Sequence, residues 1–182
     1  MKPLILAFTL AACGTDPISY SAPVGIELKA KSTDVTNTAI TETKDITTES
    51  GNPYGAFTRD ASAKLGGRQP SRIAIDQLTL TLGGQSTGVS ALEQVVTGDV
   101  DVAFVVNDSN NTYDAGHVVN PTGIGPVAMT PSFDWATVAA ADQTRMLGGS
   151  FKVVLRGPAA STFSTKGASA SLQVTFTFTA FE

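Results

Sequence analysis

The chain has 182 residues, a formal net charge of −4 and only 15% charged side chains. That length suffices for one domain with a full core. A mildly acidic chain with scattered charges argues against nucleic acid as a partner and supplies no polybasic patch for anionic lipid.

Met1-Lys2 leads into an apolar run, Pro3 to Leu10, and then into Leu10-Ala11-Ala12-Cys13, which holds the one cysteine of the sequence. As a helix, Leu4 to Ala12 would reach about 13 Å at about 1.5 Å per residue. A bilayer core is about 30 Å thick, so this run is too short to cross it. An early positive charge, a brief apolar segment and small residues before a cut make an export signal. Leu10, Ala11, Ala12 and Cys13 resemble, position by position, the lipobox of bacterial lipoproteins, although the charged region before it is short for that family. The resemblance implies that residues 1–12 are a signal peptide and that Cys13 carries a diacylglycerol on sulfur. It also implies a further acyl chain, such as palmitate, on the new amino terminus. Each buried CH₂ contributes about 0.8 kcal/mol, and two or more chains hold stably. Gly14 follows the cysteine where an Asp would favour the inner membrane of enteric bacteria, so the outer membrane is the expected address. A lipidated Cys13 leaves no thiol for a disulfide, and the fold must rest on burial.

Residues 13–23 read as a lipidated tether, with Pro17 and Pro23, and residues 24–182 as a single domain. Val24 to Lys31 alternates as a half-buried strand. Thr33 to Glu49, with Val35, Ile40 and Ile46 widely spaced, reads as one or two edge strands or a solvated arm. Gly51 to Ser71, with Asn52-Pro53, Gly55 and Gly66-Gly67, reads as a long loop. In Arg72 to Leu82 the apolar phase flips between Ile73/Ile75 and Leu78/Leu80/Leu82, which predicts a β-bulge at Asp76-Gln77. Asp99 to Val106 alternates with both aspartates outward. Ser109 to Asn111 form a polar turn, and His117 to Asn120 a short strand. Thr130-Pro131 reads as a helix start, with Phe133, Trp135, Val138, Ala139 and Met146 on one face and Gly148-Gly149 at the end. Phe151 to Arg156 and Ser171 to Glu182 are strands, and the first and last strong strands can pair. Thr- and Ser-rich strands of this kind point to an all-β protein. The expected architecture is a two-sheet antiparallel β-sandwich, immunoglobulin-like or jelly-roll-like, with room for one short helix.

Four constellations bear on chemistry. Asp108, Asn110, Thr112 and Asp114 place oxygen at alternate positions, as a loop around Ca²⁺ would require. Tyr113 stands where the sixth-position glycine of such loops is expected, and no Glu occupies the twelfth. Tyr113 is the aromatic best placed in a polar turn to stack on a sugar or protein, ahead of Trp135 and Tyr54. Gly84-Gln85-Ser86-Thr87-Gly88 matches G-x-S-x-G, and His117 follows it. The strand before it alternates with Thr79 and Thr81, however, and is unlike the fully buried strand of a hydrolase elbow. The lone His117 and a lipidated cysteine leave a zinc or copper site short of ligands. The terminal strand could in principle complement the sheet edge of another subunit. The expectation is a non-catalytic binding or structural module without a cofactor, held to the membrane, with a protein or glycan partner. A Ca²⁺-dependent adhesion or carbohydrate-binding module is the alternative, and a small serine hydrolase a distant third.

Overall fold

The computed structural model describes residues 18–165 and 167–182. Eight strands carry the fold: β1 (Ser19–Lys31), β2 (Ala39–Ile46), β3 (Arg72–Leu82), β4 (Asp99–Val106), β5 (Thr112–Val119), β6 (Val127–Pro131), β7 (Phe151–Pro158) and β8 (Ser169–Phe181). Three short helices join them: α1 (Pro53–Lys64), α2 (Ala140–Leu147) and α3 (Ser161–Thr165). Alternation decides the strands. In β8, Leu172, Val174, Phe176, Phe178 and Ala180 are buried, while Gln173, Thr175 and Thr177 face outward. In β4, Val100, Val102, Phe104 and Val106 are buried and Asp99 and Asp101 exposed.

Every pairing is antiparallel, and the order is β1-β8-β3-β6-β5-β4-β7-β2. The all-β expectation holds, whereas the expectation of two separate sheets gives way to one. β6 bonds to β3 through Leu78–Met129 and to β5 through His117–Thr130, so it joins what would otherwise be two halves. The sheet then curls until its ends, β1 and β2, come near one another. Its concave face is filled by rings. Phe176 and Phe178 of β8 stack at 5.1 Å, Phe104 of β4 meets Phe176 at 5.5 Å, and Phe151 of β7 meets Phe104 at 5.3 Å. Such pairs are worth about 0.5–1.5 kcal/mol each beyond their buried area.

The first and last strands pair from Ser19–Phe181 to Lys31–Ser169. β8 therefore lies between β1 and β3, with both its edges used, and is not an edge open to another subunit. The expected tether to Pro23 is also too long, since Ser19 to Pro23 already belong to β1. The even-numbered residues Tyr20 and Ala22 continue the inward phase of Val24 and Ile26. Pro23 is tolerated because of where its missing N–H would point. Ser71 and Gly83 donate to Phe181 and Ser171, so odd-numbered residues of β8 face β3 and even-numbered ones face β1. The even residues of β1 complete that ladder, and its odd residues, Pro23 among them, face the free edge.

The bulge appears where the phase flips: the register shifts between Ile75 and Gln77, leaving Asp76 as the extra residue. Two expectations are corrected. Residues 51–71 are not one loop, because Pro53–Lys64 is a helix capped by the Asn52 side chain, which accepts from the Tyr54 N–H at 3.0 Å. It buries Tyr54, Phe57, Ala61 and the following Leu65 under β1 and β8. Gly55 is there for contact rather than flexibility: a Cβ would lie 2.7 Å from the Thr48 carbonyl oxygen. Thr130-Pro131 does not start a helix but ends β6, and α2 begins only at Ala140, before Gly148 ends it.

Candidate functional site

Cys13 lies outside the described residues, as do the rest of the lipobox and the tether up to residue 17. The point where the described chain enters the domain is defined. The Glu182 N–H donates to the Ile18 carbonyl at 3.1 Å, and the Glu182 carboxylate pairs with Arg68. The C-terminus therefore sits beside the point where the chain enters the domain.

The four oxygen residues expected to wrap a calcium ion are divided between two kinds of structure. Asp108 and Asn110 occupy the β4–β5 turn, both with left-handed backbone (φ 68° and 55°), which Asp and Asn tolerate better than other side-chain-bearing residues. Thr112 and Asp114 already belong to β5, two residues apart in an extended chain, on its exposed face. They stand in a row instead of encircling a point. Among the described residues no group of three or more His, Cys, Asp or Glu side chains is placed to hold a metal ion.

What organises this turn is a residue the sequence reading missed. Asp142 on α2 is buried, and its carboxylate accepts from Asn111 Nδ2 at 2.7 Å, the Tyr113 hydroxyl at 2.8 Å and an Arg145 guanidinium nitrogen at 3.2 Å. The Asn111 hydrogen bond above all, with help from Tyr113, Ser109 and the Arg145 charge, holds its pKa below the ordinary carboxylate value against the opposing effect of burial. Arg145 also approaches Asp108 at 3.7 Å. The cluster ties the β4–β5 turn to α2. Tyr113 is half-buried, and its hydroxyl donates to Asp142 and accepts the Ala139 N–H at 3.2 Å. The signal for Asp142 is its position four residues before the buried Met146, on the inner face of α2.

The other aromatic candidates are also committed. Tyr54 is in the core with its hydroxyl on the Met146 carbonyl at 2.9 Å, and burial pushes that phenol's pKa strongly upward. Trp135 is half-buried, edge-on to Phe133 at 6.2 Å.

Ser86 and His117 are not brought together. The Ser86 hydroxyl donates to the Gly83 carbonyl at 2.7 Å and accepts the Ser171 N–H at 3.0 Å. His117 is exposed on β5, opposite Asp101 and Thr130. Thr130 adjoins the Leu78–Met129 pair, and Ser86 lies beyond Leu82, two strands away. At about 3.3 Å per residue the two are more than about 10 Å apart, far outside proton-transfer reach.

Among the described residues no helix is long and apolar enough to cross a membrane. No protein family matches this chain, and no curated protein matches it.

Proposed function

We propose that this chain is a bacterial envelope lipoprotein, held at a membrane through Cys13 and serving as a non-catalytic binding or structural module. The observation that carries the reading is the Leu10-Ala11-Ala12-Cys13 run, behind a segment too short to span a bilayer. β1 begins at Ser19. From Cys13 to Ser19 the chain reaches at most about 20 Å, so the domain would ride close to the lipid surface. Gly14 in place of Asp supports the outer membrane as its address. The separation of Ser86 from His117 supports a role other than hydrolysis, and the partner is a protein or glycan.

For the domain itself we read a jelly roll. The strand order falls into β1-β8-β3-β6 and β2-β7-β4-β5, the alternation that two interlocked Greek keys produce. The experiment is expression in a bacterial host with an alkyne-tagged fatty acid, for wild type and Cys13→Ala. The wild type should take the label and sediment with membranes, and Cys13→Ala should do neither. A wild-type chain that stays unlabelled in the soluble fraction would overturn the reading.

A further inference from the structure

The curled sheet fails to close at one seam. β1 and β2 are its two edges, and between their walls runs a groove of about 660 Å³. Its walls include Gly25, Glu27 and Lys29 from β1, Glu42 and Lys44 from β2, and Glu49 just beyond. The backbone accounting here is specific. Ala159 donates to Thr38, so even-numbered residues of β2 complete the ladder with β7, and Thr41, Thr43 and Asp45 turn their N–H and C=O groups to the groove. Facing them are the corresponding groups of Gly25, Glu27 and Lys29. Among the described residues none of these groups has a backbone partner.

Two free edges facing one groove would gain ladder bonds by zipping together unless something opposed it. The inner face of β2 supplies the opposition. Ile40 and Ile46 are buried there, but Glu42 and Lys44 lie between them. A register that paired Lys31 with Ala39 would set Lys29 opposite Thr41, Glu27 opposite Thr43 and Gly25 opposite Asp45. It would also press Glu42 against Leu28 and Lys44 against Ile26, both buried residues. Forcing charges onto apolar side chains costs more than the added ladder bonds return. Burial, and then the nearby Asp34, already raise the Glu42 pKa. Charges on the face that carries Ile40 and Ile46 keep such edges from pairing, and here they leave a lined slot with open donors and acceptors on both sides.

We propose that this slot receives an extended basic peptide from a partner protein, added as a strand to β1. Strand addition draws affinity from main-chain bonds and specificity from alternate side chains. The lining holds three carboxylates, Glu27, Glu42 and Glu49, against the two ammonium groups of Lys29 and Lys44. Lys29 already pairs with Glu27 at 3.8 Å, whereas no cationic side chain among the described residues pairs with Glu42. Lysine at alternate positions of an added strand reaches that carboxylate. The inference deepens the binding-module reading and rests on it. Lipidation of Cys13 is measured independently, so either can fail without the other.

The test is amide exchange by NMR on the full chain, titrated with three octapeptides. One alternates Thr and Lys, one alternates Thr and Glu, and one is the Thr/Lys peptide with a central proline. The Thr/Lys peptide should slow exchange at Gly25, Glu27 and Lys29 by about tenfold, leaving Ile26 and Leu28 unchanged, with each control peptide binding about tenfold more weakly. Glu42→Gln should weaken Thr/Lys binding severalfold. The proposal is overturned if those three amides are already protected in the free chain, or if no peptide slows them. It is also overturned if their protection rises with protein concentration alone, which would assign the edge to a second copy.

Discussion

Asp142 shows how much one side chain can organise. It fixes Asn111, Tyr113 and Arg145 around a single carboxylate and so sets the shape of the β4–β5 turn. Because its pKa is lowered in the folded chain, the unfolded chain binds a proton more readily. Its contribution to stability is therefore complete above the ordinary Asp pKa, about 3.9, and is lost as pH falls through the lower folded value. Asp142→Asn should be less stable than wild type at neutral pH, and the gap should narrow as denaturation is repeated at progressively lower pH below 4. A gap that stays constant with pH would contradict this role. The same turn decides the calcium question. Binding at a hundredfold excess over Kd would add about 2.7 kcal/mol, which in a domain of this size is a Tm increase of roughly 5–10 °C. With Thr112 and Asp114 in a strand, the melting curves in Ca²⁺ and in EDTA should coincide, and a rise of that size would restore the calcium reading. Composition hid all this. Asp108 to Asp114 has the residues of a solvated loop, and only the left-handed backbone at Asp108 and Asn110, which tightens the turn, lets β5 begin as early as Thr112.

At the scale of elements, legibility followed the range of the interactions. β3, β4, β7 and β8 were readable because each buries one face, so period-two alternation is written into the local sequence. The Asp76 bulge was readable for the same reason. α1 was not. Gly55 and Gly66-Gly67 look like breakers, yet Gly55 is required by the Thr48 backbone and Gly66-Gly67 lie past the helix end. The Asn52-Pro53 pair was the available signal: a capping side chain followed by proline at the first helical position. Asn52→Ala should remove that cap and cost about 1 kcal/mol, seen as a Tm lower by about 2–4 °C. An unchanged Tm would mean that packing of Tyr54 and Phe57 alone holds the helix. Thr130-Pro131 carried the opposite lesson. The same cap-like pair here ends β6, because Pro131 sits opposite Gly116 at the last rung of that ladder.

Over the whole molecule, the fold brings the two ends of the described chain together and leaves one seam open. The β1–β8 pairing was within reach of the sequence, since both strands alternate cleanly. The seam was not, because it depends on how far the sheet curls and on which residues β1 and β2 then bring to one groove, which are long-range consequences. With Ile18 and Glu182 adjacent, the two ends of the described chain lie at one end of the domain. The proposed membrane address depends on what becomes of Cys13. The direct measurement is intact-mass and N-terminal peptide analysis of the mature protein purified from bacterial membranes. The account predicts a chain that starts at Cys13, carries a diacylglyceryl group on sulfur and leaves the membrane only in detergent. A mature chain recovered from the soluble fraction with a free thiol at Cys13, or cut elsewhere, would contradict it.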